Sequence, residues 1–391
     1  MTSQNNQLRV PPRILMGPGP AGVDPRVLAA MSHTLLGHLD PSFLAIMDEV
    51  SGMLRQVFRT GNPLTLAISG TGTAGMEAAI TNVIEPGDRV VIGVAGYFGA
   101  RMAEMARRAG GEVTTVEAPW GTPVPPERML ESLHAASSRG PVKAVGIVHA
   151  ETSTGVLQPL DEIVRLAHDA GALVIVDAVT SLGGVPLDVD GAGIDVCYSG
   201  TQKCLGAPPG MAPITVGRRA ADAIRSRGTT VASFNLDLTL LERYWGKEHA
   251  YHHTAPINSV YAVREALRLV IEEGIEARAA RHRKVHEQLA RGVEGLGLEF
   301  LVEERHRLPV LNALRVPEWV DDKMVRGRLL SEHNIEIGGG LGPLAGRIWR
   351  VGLMGYSARD ENVARFLTAM RIILGAPRMS RPARPPLQKN S

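Results

Sequence analysis

The sequence predicts an α/β protein: a mostly parallel sheet covered by helices on both faces, followed by a smaller α+β unit. Three observations carry this. Strand-length apolar runs alternate with helical patterns from Leu64 to Val216. Several of those runs, such as Ala172-Leu173-Val174-Ile175-Val176, are apolar throughout, as strands buried on both faces are. After about residue 270 the texture changes to a long charged helix and sparser strands.

The elements follow in order. The first dozen residues read as a flexible arm, and the run from Ile14 to Pro20 brings a stiff turn, so residues 1–20 form an N-terminal arm. Phe43, Met47, Val50, Leu54 and Phe58 share one face, which predicts a helix over 43–58. Residues 64–68 read as a short buried strand. It feeds the run Gly70-Thr71-Gly72-Thr73-Ala74-Gly75, with a helix expected over 76–83. Glu85-Pro86-Gly87-Asp88 is a turn. Strands are then expected over 89–94, 113–116, 142–149 and 172–176. The intervening helices are expected over 100–109, 126–136 and 160–170. A strand over 194–198 leads to Lys203, and another covers 211–216.

These elements make a large unit over residues 21–270. Residues 271–375 form the smaller one. It has a helix over 274–293 stopped by Gly295-Leu296-Gly297, strand-like pieces over 308–316 and 347–353, and a helix over 322–330. Residues 376–391 are rich in Pro and Arg without periodicity and read as a disordered tail.

Composition narrows the function. Hydrophobic residues make up 44% of the 391 and charged residues 21%, the balance of a globular enzyme. A net charge of +2 gives no reason to expect a nucleic acid or an anionic membrane as partner. Two cysteines, Cys197 and Cys204, are too few for a disulfide framework. No apolar run has the length of a membrane span. Met1 to Gln7 is polar, and Gln388-Lys389-Asn390-Ser391 is not a peroxisomal address. The expected compartment is the cytoplasm.

The chemistry centres on Lys203, which stands alone among cations between Arg165 and Arg218, in a loop of small residues. A preceding apolar strand ends on Asp177. Such a lysine holds pyridoxal phosphate as a Schiff base, and such an acid keeps the pyridine nitrogen protonated. Taken singly, Lys203 reads as a surface lysine and Asp177 as a cap or loop acid; the pairing favours the chemical reading. Gly70 to Gly75 matches G-x-G-x-x-G between strand and helix. The dinucleotide reading wants an acid after the next strand, and Ala95-Gly96 offers none. A phosphate at the helix N-terminus, or a tight turn, remains. His149 to Gly155 closes a buried strand and brings hydroxyls to the same edge; plain turn chemistry is the alternative. Arg350 lies among apolar residues, which requires either a salt bridge or a substrate carboxylate. Tyr251-His252-His253-Thr254 lacks the spacing of a zinc pair, and Cys204 reads as packing.

Together these motifs resemble the class V aminotransferases of PLP fold type I, most closely the alanine–glyoxylate and serine–pyruvate group, over about residues 13–375. Its carriers are Gly17-Pro18-Gly19-Pro20, Asn62 to Leu66, Ser69 to Gly72, Glu151 to Gly155 and Asp177-Ala178-Val179. Ser199 to Lys203, Tyr251 to Thr254 and Arg350 to Leu353 complete them.

The resemblance implies a large domain with a seven-stranded, mostly parallel sheet between helices. It implies a pyridoxal phosphate-dependent transaminase working by a ping-pong mechanism, in which Lys203 forms the internal aldimine and then serves as base. Asp177 pairs with the pyridine nitrogen, Val179 packs on one ring face and Phe98 stacks on the other. Thr152 bonds the phenolic oxygen and borders the substrate. Thr71, Gly72, Thr73 and Gln202 bind the cofactor, the last three at its phosphate, joined by Tyr251 and Thr254 of a partner subunit in a homodimer. Thr73 stands where some relatives carry His. Arg350 grips the substrate carboxylate, and Gly19 lines its pocket.

The resemblance also frames the rivals. (S)-Ureidoglycine–glyoxylate aminotransferase fits Asp40-Pro41, Gln202 to Leu205 and Trp349-Arg350, but His38 and the Tyr251-His252-His253 run stand where that subgroup is expected to carry amides. A cysteine desulfurase wants a histidine beside the lysine, where Gln202 stands, and a distant reactive cysteine. An NAD-dependent dehydrogenase lacks its ribose acid.

Overall fold

The computed structural model describes residues 8–375. The tail over 376–391 and the start of the arm lie outside the described residues.

The central sheet has seven strands. They are β1 (Leu64–Ser69), β2 (Arg89–Val94), β3 (Glu112–Glu117), β4 (Val142–Val148), β5 (Leu173–Asp177), β6 (Val196–Tyr198) and β7 (Met211–Val216). Their order is β1-β7-β6-β5-β4-β2-β3. Strand β7 runs antiparallel to both neighbours, and every other pair is parallel. Every residue of β5 and β7 is buried, so helices cover both faces there. Because β1, β2, β4, β5 and β6 point the same way, their carboxyl ends share one edge. That edge is where open α/β sheets bind ligands.

The helix Pro41–Phe58 follows from its sequence. Asp40 caps it by accepting the Ser42 N–H at 2.8 Å, and Pro41 sits in the first turn. The five side chains expected on one face are all fully buried. Burying each contributes about 1.5–3 kcal/mol.

Two helices beside the site start earlier than expected. The helix after β1 spans Gly72–Val83 rather than starting at Met76. Its glycines are packing residues: a Cβ on Gly72 would lie 2.8 Å from Val179 Cγ2, and one on Gly75 3.2 Å from Ala212 Cβ. Tertiary packing therefore overrides glycine's low helix propensity. Likewise the helix after β2 starts at Tyr97, not Ala100, and takes Phe98 into its first turn.

Among the described residues, buried apolar side chains form two large cores and a small third cluster of Ala21, Ala150, Val185, Cys204, Leu308, Val310, Leu311 and Met354. The larger core runs from Val27 to Val270 around the sheet. The second core centres on Trp349, Phe366, Leu289 and Leu329. It surrounds a three-stranded antiparallel sheet of Leu311–Arg315, Ile348–Gly352 and Gly338–Gly339. Ile14–Leu15 pairs with Ile335–Glu336, and Met16 is buried in this second core. The arm is therefore anchored from Ile14 onward.

Candidate active site

At the shared sheet edge a cavity is lined by Gly72, Thr73, Phe98, Arg101, Thr152, Asp177, Val179, Gln202 and Lys203, among others. Seven of the sequence-predicted residues other than the Asp177–Lys203 pair, drawn from five separate segments, were expected near one ligand. Of these, Gly72, Thr73, Phe98, Thr152, Val179 and Gln202 do meet here, and Thr71 stands outside as the exposed N-cap of the Gly72–Val83 helix.

Asp177 forms the floor. It is 3% exposed. One oxygen accepts the Val179 N–H at 2.8 Å and the other the Tyr198 hydroxyl at 3.0 Å. Burial pushes its carboxyl up to about 7, against the pull of these hydrogen bonds and of Lys203. Tyr198 was not singled out in the sequence; its place at the end of a strand leading to the lysine was the available signal.

Lys203 sits in a π-helical turn, Thr201–Leu205, with φ −108° and ψ −130° inside it. Its ammonium contacts the Pro18 carbonyl. Burial drives it down to about 8, helped by the charge of Arg350 and opposed by Cys204 and Asp177. A neutral, nucleophilic amine is thus within reach near pH 8. Gly19 lies against it: a Cβ there would be 2.5 Å from Nζ, and φ is +111°. Only glycine suits that position.

The opposite wall is a helix start with free backbone donors, which suits an anion. The first N–H groups of the Gly72–Val83 helix have no intrahelical partners, and the Thr71 side chain makes no capping bond. Arg101, which the sequence reading missed, donates to the Thr73 hydroxyl at 3.1 Å and lies 5.0 Å from the Phe98 ring centre. Its position one turn after Phe98 in the same helix was the available signal. Gln202 Oε1 is buried without a partner among the described residues.

Arg350 is 7% exposed. It donates to the Gly339 carbonyl at 2.7 Å and to the Thr152 carbonyl at 3.2 Å. Among the described residues no carboxylate lies within 4.0 Å of it, so the salt-bridge alternative does not apply. Burial lowers its pKa to about 10, opposed by the charge of Glu151. Tyr251 and Thr254 are exposed and do not reach this chain's own cavity. His252 and His253 bond each other, and His253 bonds the Ser69 hydroxyl at 2.7 Å.

A lysine amine, a buried acid, a helix N-terminus and an unpaired arginine suit an anionic aromatic aldehyde and an amino acid. The family model described as class-V aminotransferase matches residues 15–358. The chain belongs to this family. This class V aminotransferase is 41% identical over 390 residues to (S)-ureidoglycine–glyoxylate transaminase of Bacillus subtilis, covering 95% of this chain and 93% of that protein. It is 42% identical to alanine–glyoxylate aminotransferase of Rattus norvegicus, covering 93% and 88%. It superposes on the crystal structure of alanine–glyoxylate aminotransferase from Nostoc sp. with a TM-score of 0.93 and 50% identity, covering 95% and 98%.

The cofactor of this aminotransferase is pyridoxal phosphate. Its residues fit that group. Gly19 and Gly72 leave space that a Cβ would fill, and the Gln202 oxygen awaits a polar partner.

Proposed function

We propose that this enzyme moves the amino group of a small amino acid, alanine or serine, to glyoxylate or pyruvate. The observation that carries the reading is Arg350. A buried guanidinium without a counterion costs several kcal/mol unless a ligand supplies one. The α-carboxylate shared by amino acids and 2-oxo acids is such an anion, and a guanidinium takes it in a fork. Small relatives' substrates point the same way, since the Rattus norvegicus and Nostoc sp. proteins carry alanine and glyoxylate in their names.

Residue roles follow from this reading. Lys203 would hold the cofactor covalently, and Asp177 would pair with its pyridine nitrogen. Phe98 and Val179 would flank the ring. Thr152 would face its phenolic oxygen and border the substrate. Gly72, Thr73 and Gln202 would hold the phosphate, with Thr71 at the N-cap beside them. When bound, the cofactor supplies an electron sink for the substrate's Cα. Lys203 Nζ would carry the proton from the substrate's Cα. Its lowered basicity suits proton transfer near neutral pH. Arg350 orients the substrate, and Gly19 keeps the approach to Nζ open.

The same reading takes the enzyme as a homodimer in the cytoplasm. Tyr251 and Thr254 would complete the neighbour's phosphate site, which accords with the 63% exposure of Tyr251 and the 67% exposure of nearby Phe234. Among the described residues no helix is long and apolar enough to cross a membrane. Residues 21–270 would form the cofactor domain and 271–375 the smaller one, a division supported by the two cores.

The second reading, transfer from (S)-ureidoglycine to glyoxylate, is favoured by the 41% identity to the Bacillus subtilis transaminase. Half-reactions of the cofactor-loaded enzyme with alanine, serine, glycine and ureidoglycine separate the two. Fast loss of the visible cofactor band with alanine or serine supports the first. Response to ureidoglycine alone overturns it.

A further inference from the structure

The segment after β4 carries Glu151, Thr152 and Ser153. Glu151 is 1% exposed, and four donors converge on its carboxylate. Oε2 accepts the N–H groups of Phe98 at 3.2 Å and Gly99 at 3.3 Å. Oε1 accepts the N–H and the hydroxyl of Ser153. That hydroxyl in turn accepts the Tyr97 N–H at 2.9 Å.

Tyr97, Phe98 and Gly99 open the helix Tyr97–Arg108. A helix leaves its first N–H groups unpaired, and a side chain at the N-cap usually accepts one of them. Here the N-cap is Gly96, which has none to offer. A Cβ on Gly96 would lie 2.4 Å from Ser153 Oγ and 2.7 Å from Glu151 Cδ. The glycine leaves the space in which a distant segment does the capping.

This cap touches the chemistry on two sides. The Phe98 ring lines the cavity, and so does Thr152, which lies between the two capping residues. The Thr152 carbonyl also accepts Arg350. We infer that Glu151 is a positioning residue for the reaction: its carboxylate fixes the first turn of the Tyr97–Arg108 helix and thereby the Phe98 ring against the cofactor. The inference rests on the reading of Phe98 as the ring-stacking side chain. Burial pushes the Glu151 carboxyl up, against hydrogen bonds from Ser153, Gly99 and Phe98. All its partners are donors, a set that a carboxylate accepts and a carboxamide meets only in part.

The test uses the cofactor-loaded enzyme with Glu151→Ala and Glu151→Gln. Three quantities are read: amide hydrogen exchange over peptides spanning residues 97–100, the visible circular dichroism of the bound cofactor, and kcat. In Glu151→Ala, exchange rises about tenfold with the lost cap. The dichroic band changes, and kcat falls about tenfold or more, as expected when supporting partners are removed. Glu151→Gln lies between, because one oxygen still accepts. In a Phe98→Ala background, adding Glu151→Ala lowers kcat by less than about threefold, the non-additivity of two residues acting through one ring.

Unchanged exchange and dichroism in Glu151→Ala would overturn the inference, and so would independent, multiplying losses in the double variant. A Phe98→Ala enzyme with wild-type kcat and dichroism overturns the stacking role instead. Exchange over residues 97–100, which does not depend on that role, tells the two failures apart. Should Glu151→Ala not fold, Ser153→Ala frees the Tyr97 N–H and carries the same readouts at smaller amplitude.

Discussion

Asp177 and Tyr198 stand in register on neighbouring parallel strands, and the tyrosine hydroxyl donates to the carboxylate at 3.0 Å. With the Val179 N–H it holds the acid in one orientation at the cavity floor. Two donors do not offset complete burial, so the carboxyl stays well above its ordinary value.

The stability of the cofactor-free protein follows from this. Asp177 has a folded pKa of about 7 against an ordinary 3.8. Between those values the folded state holds a proton that the unfolded state has lost, so stability falls as pH rises through the window. The contribution is complete below the lower value and gone above the upper one. Buried His149 and His282, lowered to about 4 and about 3, act in the opposite sense on the acid side. The difference in thermal midpoint between wild type and Asp177→Asn, followed from pH 4 to 8, isolates the acid. A flat difference would contradict the buried, protonated carboxyl.

Lys203→Ala is expected to abolish turnover and the visible band of the covalently held cofactor. No other lysine lines the cavity among the described residues. Steady-state kinetics and an absorption spectrum of the variant check this; retained transaminase activity would remove Lys203 from the mechanism.

Arg350→Ala removes charge-assisted hydrogen bonds of about 1.5–3 kcal/mol, so donor affinity falls about ten- to hundredfold. Cofactor affinity changes much less. The positive charge that helps lower Lys203 is lost as well, so covalent attachment of cofactor to the apo-enzyme shifts to higher pH. Titrating half-reaction rates against donor concentration, and attachment rates against pH, tests both halves.

Gly19→Ala forces a Cβ to within 2.5 Å of Nζ at a backbone conformation that side chains rarely adopt. The lysine must move, and a displacement of about 1 Å costs about a hundredfold in rate. The expected variant is folded, binds pyridoxal phosphate weakly and turns over slowly. Wild-type kcat would show that the arm yields instead.

Arg101→Ala is expected to weaken cofactor binding about tenfold, since a guanidinium beside the Thr73 hydroxyl stands at the helix start that suits an anion. Equilibrium dialysis against pyridoxal phosphate measures it.

Much of this arrangement was legible because periodicity reports what a strand buries. The run from Leu173 to Val176 is apolar throughout, and it lies in the middle of the sheet with its acid at the carboxyl end. Parallel direction then brings Asp177, Lys203 and the Gly72 turn to one edge, which motif order alone implied. Glycine-rich helix starts were less legible. Gly72 and Gly75 read as loop because their helical role depends on Val179 and Ala212, far away in sequence. Arg101 and Glu151 were missed as site residues for a related reason. Each acts through a contact between segments, Arg101 with Thr73 and Glu151 with Phe98; the place of Arg101 one turn after Phe98 is the one local hint.

The short pairing of Ile14–Leu15 with Ile335–Glu336 also bears on the lysine. The chain leaves that pairing, gives the Met16 carbonyl to the Gly352 N–H at 2.7 Å, and within a few residues lies on the Lys203 amine. The segment thus joins the second core at one end to the Lys203 amine at the other. The same few residues therefore belong to the packing of the second core and to the surroundings of the lysine.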